Sequence, residues 1–499
     1  MIWFWLISCS DAPPSEKEKT TVVSQSKGSN PAPLRGPPKG HPHGHPKGGG
    51  LPKGGGPPGG MPHGKSALKV EPTFSWTGES DPNPKSIVII SLDTVRADRL
   101  SVYGGRAETP NLQKMADAGL VCVQAVTHFP ETALSHWSMM TGVMPLVHGN
   151  VPGNGGSIYK GPTLAEIAKK HGYSTGAFIG GVTLTDSASG LSRGFDVYDD
   201  RFTFSQEDMS RKGSEVTSRA LQWIQKQKQP YFAFVHYFDA HFPYTPPPPW
   251  DTKYDPTYRG SIDGTDRVLR PYRDGQKEPS KRDVEHVLAL YDGEISALDE
   301  TIQPLLDGID TDTIVVVTSD HGESFEHGYY FNHRAGLWDS VLRIPLIVRA
   351  PGIRGGVEIQ EQVGLIDLVP TIVELAGIRG DSRMQGTSML PLISAEPKGD
   401  VVHYANTDPW MPNPQFSVRN LSWKWIQQER ANLVYSIAND PEEAVLSNDI
   451  PNVFSQSQAD YKALISSLKD QQVSTSQKRH ISKEECARLE ALGYSTCAE

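Results

Sequence analysis

The sequence predicts an α/β fold: a mixed, mostly parallel sheet sandwiched between helices, with a small α+β subdomain at the C-terminal end. Three observations carry this. Continuous apolar runs of strand length recur along the chain, and strands buried on both faces need no polar alternation. Segments with helix caps and helical spacing separate those runs, the order expected of a sheet covered on both sides. After about Gly399 the pattern changes to short strand-like segments at close spacing.

The first apolar run, SIVIISLD, begins at Ser86 and ends in Asp93. Thr109-Pro110 predicts a helix start, with Thr as the cap, Pro at the first helical position and Gly119 as the stop. Thr163 followed by Glu166 has the spacing of a capping box, and Gly172 ends that helix. STGAFIGG reads as a strand, Glu215–Lys228 as a helix and YFAFVHYF as a strand. Helical spacing then covers Val284–Leu306, before two strands, TIVVVTSD and PLIVRAPG. Beyond Gly399, SVRNLSWKWIQQ and ANLVYSIAND read as short antiparallel strands. A last helix starts at Ser482, with Glu485 completing a capping box and Gly493 as its stop.

The chain divides by composition into residues 1–9, 10–82, 83–400 and 401–499. Met1 to Cys9 is short and apolar and ends in Leu6-Ile7-Ser8-Cys9, which resembles a bacterial lipobox. The expectation is an exported protein of a bacterial cell envelope, either a lipoprotein held at the membrane by a lipid on Cys9 or a periplasmic or extracellular protein. Residues 10–82 are rich in Pro, Gly and His and carry too little apolar surface to offset ordering entropy, so they read as a disordered tether. His41, His43, His45 and His63 lie within it and have the composition of a loose metal-binding tract. Of the remaining cysteines, Cys486 and Cys497 lie close together; a disulfide between them and free thiols are both compatible with the spacing. No run of about 18 apolar residues occurs, so no spanning helix is predicted.

The net charge of −10 excludes one class of partner. Residues 10–70 carry nine Lys/Arg against three Asp/Glu, so the rest of the chain is more acidic still. Nucleic acid binding needs clustered cations and is not expected. A small anionic substrate remains compatible, because a bound metal is the largest charge in its site.

Ligand sites in open α/β sheets lie beyond the carboxyl ends of strands. Asp93 occupies that place after the first strand, and Asp320-His321 occupies it in TSDHGES. Two carboxylates and an imidazole at converging strand ends predict a divalent-cation site. Carboxylate and hydroxyl oxygens suit Ca, Mg or Mn, and further imidazoles lean toward Mn or Zn. Arg96 and Asp98 are expected to brace the turn after Asp93. Trp137, Trp250 and Trp338 are expected in the core or at a pocket rim.

A series of segments then appears in fixed order: SLDTVRADRLSVYGG, ETPNLQKMADAGLVC, SHWSMMTGVMPLVHG, FVHYFDAHFPY, LYDGEISALDE, TSDHGES, LRIPLIVRAPG, LIDLVPTIVELAG and GTSMLPLI. With these the chain resembles the sulfatase family of the alkaline phosphatase superfamily, from about Ser86 to near its end and nowhere in the tether. The resemblance implies an alkaline phosphatase/sulfatase-like fold and hydrolysis of phosphoric or sulfuric esters. It implies Asp93, Asp320 and His321 as metal ligands, and Thr132 as the nucleophile that also touches the metal. It implies His241 as the group that protonates the leaving oxygen, and puts His333 near a basic residue that binds the transferred group. His136 stands where sulfatases usually carry Arg, and is expected either to orient substrate, to accept a proton, or to pack. Asp239, His241 and His333 could instead form a second metal site, as in related two-metal phosphatases.

The departure from the family lies at Thr132. Sulfatases resemble one another in a Cys or Ser, converted to formylglycine, that is followed by x-Pro-x-Arg. Here the stretch is Thr132-Ala133-Leu134-Ser135-His136, and Thr cannot become formylglycine. A formylglycine hydrate expels sulfate by collapsing to an aldehyde. A threonyl ester lacks that exit, so water must attack the central atom again, which a polarised phosphoryl group permits. Phosphate mono- or diesters or phosphonate esters are therefore the expected substrates. The alternatives are a sulfuric ester hydrolase, an envelope phospho- or sulfo-transferase, and an inactive binding protein.

Overall fold

A computed structural model describes residues 83–149, 159–202, 210–228, 230–334, 336–393, 401–407, 414–428 and 431–448, with 459 and 463. Residues 1–82, Cys486, Cys497 and the expected helix from Ser482 lie outside the described residues. The strands, in chain order, are β1 Ile87–Leu92, β2 Leu120–Val126, β3 Ser174–Phe178, β4 Val197–Asp199, β5 Tyr231–Tyr237, β6 Ile314–Thr318, β7 Ser324–Glu326, β8 Tyr329–Asn332, β9 Leu346–Arg349, β10 Val357–Gly364, β11 His403–Asn406, β12 Phe416–Arg419, β13 Lys424–Gln427 and β14 Asn432–Tyr435.

Every residue of β1 is buried. Val88, Ile90 and Leu92 pack into the core on one face of the sheet, while Ile87 and Ile89 pack into the core on the other. Side chains alternate across a strand, so a strand with two buried faces must be apolar throughout. The main sheet has the order β10-β2-β9-β6-β1-β5-β3-β4. Only β9, the PLIVRAPG strand, runs antiparallel to its neighbours β2 and β6; every other pairing is parallel. Helices Gly213–Ile224 and Lys281–Gly308 supply core residues to one face. Helices Leu164–Lys170 and Leu368–Leu375 supply the other.

The Thr163/Glu166 capping box is present. Ser280 caps the long helix by accepting from the Asp283 amide. The expected Thr109 cap is not made. Thr109 Oγ1 instead accepts from the Ser101 amide at 3.1 Å. The first-turn amides of Asn111 and Leu112 donate to the carboxylate of Asp299, at 3.0 and 2.9 Å. A charged acceptor from the long helix thus satisfies the orphan donors that a threonine hydroxyl would have taken.

The C-terminal strands form an antiparallel sheet in the order β11-β12-β13-β14. A buried ion cluster ties it to the segment before β9: Asp339 pairs with Arg419 and Lys424, both at 2.8 Å, and Lys424 also pairs with Glu443 at 3.0 Å. Among the described residues no helix is long and apolar enough to cross a membrane.

Candidate active site

β1 and β6 pair in parallel with Ser91 beside Thr318. Two residues on, Asp93 and Asp320 therefore leave the sheet side by side. The ligand atoms of Asp93, Asp320 and His321 all lie within 4.8 Å of one another, and all three residues are buried. Asp320 Oδ1 accepts from the backbone amides of Thr94 and His321, at 3.2 and 2.9 Å. Asp93 Oδ2 accepts from His236 Nε2 at 3.0 Å. The other oxygens, Asp93 Oδ1 and Asp320 Oδ2, have no hydrogen-bond partner.

The electrostatics match that geometry. Burial, with the charges of Asp320, Glu323 and Glu131 added, pushes the Asp93 carboxyl well above its ordinary range. Burial acts the same way on Asp320, but His321 and His136 outweigh it and hold that carboxyl below its ordinary value. Crowded buried carboxylates with unsatisfied oxygens lack positive charge, and a divalent cation fits that deficit.

Thr132 opens the helix Thr132–Thr141, and Glu131 caps it by accepting from the Leu134 amide at 3.2 Å. Thr132 Oγ1 lies 3.4 Å from His321 Nε2. The hydroxyl thus borders the three-residue cluster at the positive end of a helix. The next turn is pinned to the same centre, because Ser135 Oγ donates to the Asp320 carbonyl at 2.6 Å. His136 has both ring nitrogens engaged by protein: Nδ1 donates to the Thr132 carbonyl at 2.7 Å, and Nε2 meets Ser91 Oγ at 2.8 Å. His136 therefore braces the turn that carries Thr132 and presents no nitrogen to an ester.

His241 Nδ1 donates to the Phe242 carbonyl at 2.8 Å, while its Nε2 has no partner. The His333 ring lies 4.3 Å from His321 and 5.4 Å from His241, and its Nδ1 is 3.3 Å from Glu323 Oε1. Burial and the neighbouring His333 push His241 down to about 3. Burial likewise holds His333 well below the usual imidazole value. Asp239 turns toward helix Gly213–Ile224 and accepts from the Gly213 amide at 3.1 Å. Among the described residues, Asp93, Asp320 and His321 are the group of three whose ligand atoms all lie within 4.8 Å of one another.

Three participants were not singled out from the sequence. His236 sits next to last in β5 as a polar residue in an apolar run, which was the available signal. Glu323 was visible as the fourth residue of the Asp-His-Gly-Glu stretch. Glu131 gave no signal; burial raises its carboxyl to about 7, against the opposing charge of Arg334. Arg96 does brace the turn, pairing with Asp98 at 2.9 Å and Glu326 at 3.0 Å. Trp137, Trp250 and Trp338 are core residues, all buried in apolar clusters.

Comparison with known proteins follows the same outline. The profile of the sulfatase family matches residues 85–378, and that of the N-sulphoglucosamine sulphohydrolase C-terminal region matches residues 325–478. Arylsulfatase K of Gallus gallus is 23% identical over 423 residues, spanning 72% of this chain and 78% of the relative. The phosphonate monoester hydrolase of Agrobacterium radiobacter superposes with a TM-score of 0.61 at 17% identity, covering 78% of this chain and 96% of that one. A 2-O GAG sulfatase superposes with a TM-score of 0.59 at 18% identity, covering 79% and 94%. At these identities the structural likeness establishes the fold and not the substrate.

Proposed function

Because the chain belongs to the sulfatase family of ester hydrolases, we propose that it cleaves phosphate mono- or diesters, or phosphonate esters, through a covalent ester on Thr132. The carrying observation is the Thr132 hydroxyl, 3.4 Å from His321 at the edge of the Asp93/Asp320/His321 cluster. A divalent cation held by Asp93, Asp320, His321 and Thr132 would supply the charge that lowers the hydroxyl pKa and neutralises the transferred group. The donor set accommodates Ca, Mg, Mn or Zn, and its imidazole leans toward Mn or Zn.

In the first step Thr132 Oγ1 attacks phosphorus, the bond to the leaving oxygen breaks, and the hydroxyl proton passes to solvent. The amide end of helix Thr132–Thr141 faces the charge that develops on the transferred group. His241 Nε2, without a protein partner, is free to give a proton to the leaving oxygen. Its buried ring is neutral without substrate, so protonation must accompany arrival of the anionic ester, whose charge stabilises an imidazolium. Water then attacks phosphorus, restores the Thr132 hydroxyl and returns a proton to His241. His136, bound to the Thr132 carbonyl and Ser91, holds the nucleophile's backbone. His333, oriented by Glu323, is proposed to bind the transferred oxygens.

The names of the relatives favour a second reading, a sulfuric ester hydrolase. Threonine weighs against it, because a threonyl sulfate has no aldehyde exit. Residues 83–400 are proposed as the hydrolase domain and 401–499 as its accessory subdomain. Export to a bacterial envelope with a lipid on Cys9 is proposed from the Leu6–Cys9 stretch, and mass spectrometry of the N-terminal peptide tests it. For the substrate, matched aryl phosphate, phosphodiester, phosphonate and sulfate esters should be compared with added Mn or Zn. Faster turnover of phosphorus esters is expected; faster sulfate turnover would overturn the substrate reading.

A further inference from the structure

Helix Asp266–Arg273 brings a cation to the edge of the catalytic centre. It packs against β8, the strand that leads into His333. Arg273, its last residue, lays its guanidinium over the ring of Phe242, with Cζ 4.7 Å from the ring centroid. Phe242 follows His241, and its carbonyl accepts from His241 Nδ1. The Arg273 charge also reaches the second imidazole and its partner. Burial raises the Glu323 carboxyl, and the neighbouring His241, His321 and Arg273 oppose that rise. Burial, with His321, Arg334 and Arg273 added, holds His333 low.

The protein neutralises this guanidinium only loosely. The Arg273 side chain is 9% exposed, yet its ion pair runs from Nε to Asp274 Oδ1 at 3.7 Å. That is beyond hydrogen-bond distance, and Arg273 donates no hydrogen bond among the described residues. Other withdrawn arginines are gripped closely: Arg99 meets Asp292 at 2.6 Å and Arg419 meets Asp339 at 2.8 Å. A charge taken this far out of water ordinarily has a hydrogen-bonded partner. The Phe242 face attracts the cation but satisfies none of its N–H donors. A guanidinium with its donors unspent fits a carboxylate or phosphate, two oxygens at a time.

Position decides which part of a substrate it meets. Thr132, the proposed cation and His333 already surround the transferred group. Arg273 lies against the residue after His241, on the side from which the leaving oxygen takes its proton. We infer, building on His241 as that proton donor, that Arg273 is a specificity-determining residue that binds an anionic substituent, such as a carboxylate, on the leaving group. The substrates favoured are then esters whose alcohol or phenol part carries a negative charge of its own.

The test gives the full chain with Mn²⁺ a pair of aryl esters whose leaving phenols bear a para carboxylate or a para carboxamide. The pair is made both as phosphonates and as sulfates. The readout is the ratio of kcat/KM, carboxylate over carboxamide, within each class. In Arg273→Gln this ratio should fall roughly 10- to 100-fold, the scale of a hydrogen bond to a charged group, and Arg273→Lys should recover part of it. Circular dichroism checks the fold of both variants. An unchanged ratio overturns the inference, and so does an equal loss on both esters, which would put Arg273 on the transferred group or in packing alone. Should Arg273→Gln fail to fold, calorimetry of the free phenols on wild type decides. 4-Hydroxybenzoate should bind at least about tenfold more tightly than 4-hydroxybenzamide, and equal binding overturns the inference. Failure of the phosphorus-ester reading would show instead as faster turnover of the sulfates, which leaves the ratio within each class readable.

Discussion

Replacing His236 with phenylalanine removes one hydrogen bond from Asp93, a carboxylate proposed to hold the cation, and disturbs little else. The ring is fully buried on β5, and its Nε2 holds Asp93 Oδ2 at 3.0 Å. Its Nδ1 has no partner, so a phenyl ring loses nothing at that position. The neighbouring rings of Phe234 and Phe238, at 6.4 and 6.1 Å, already make the surroundings aromatic. Asp93 must be ionised to ligate a cation, yet burial and the neighbouring carboxylates push its pKa up. The His236 N–H opposes that push. A hydrogen bond to a charged group contributes about 1.5–3 kcal/mol, so cation affinity should fall roughly 10- to 100-fold, the range found for partners that orient metal ligands. Calorimetric titration of Mn²⁺ into wild type and His236→Phe measures this, with near-UV circular dichroism to check the fold. His236→Gln, which keeps a donor, should recover part of the loss. Affinities within twofold of wild type in a folded His236→Phe would refute the reasoning.

His136→Ala removes the contacts to Ser91 and the Thr132 carbonyl. It should lower kcat about tenfold or more, as steady-state kinetics would report. Asp299→Ala strips the acceptor from the Asn111 and Leu112 amides. Urea unfolding should show a loss of about 1–3 kcal/mol, and a smaller change would mean water replaces the carboxylate. Glu294 is buried and raised to about 8, first by burial and then by the charge of Asp239. Below the ordinary Glu range both folded and unfolded chains hold this proton, so nothing is lost there. As pH rises toward 8 the unfolded chain ionises while the folded one resists, and stability drains away. Glu294→Gln, able to keep the Thr245 amide bond, should therefore raise the melting temperature more at pH 8 than at pH 4.5. An equal shift at both would contradict this.

Elements whose cause is local were readable in the sequence. β1 declares itself because both faces are buried, and Asp93 and Asp320 follow from their places at strand ends. The Thr163/Glu166 box is likewise local. Elements whose cause is tertiary were not. The helix Thr132–Thr141 is buried on every side, so it lacks the one-sided periodicity that marks a surface helix. The helix at Pro110 was found, but its cap comes from Asp299, far along the chain. At the candidate site the same division holds. Asp93, Asp320 and His321 were legible from strand ends. His136 was visible, yet only the contacts to Ser91 and Thr132 gave it a bracing place. His236 was hidden in an apolar run because its meaning depends on the neighbouring strand. The resemblance grouped Asp239 with His241 and His333; its bond to the Gly213 amide depends on a helix distant in sequence and was not legible.

The central claim is that Thr132 carries the ester. Its direct test is rapid quenching during turnover of an aryl phosphonate ester, followed by mass spectrometry of the peptide containing Thr132, with Thr132→Ala in parallel. The account predicts a phosphonyl adduct on Thr132 that forms and decays with turnover, together with near-complete loss of activity in the variant. Continued turnover with an unmodified Thr132, or full activity in Thr132→Ala, would contradict it.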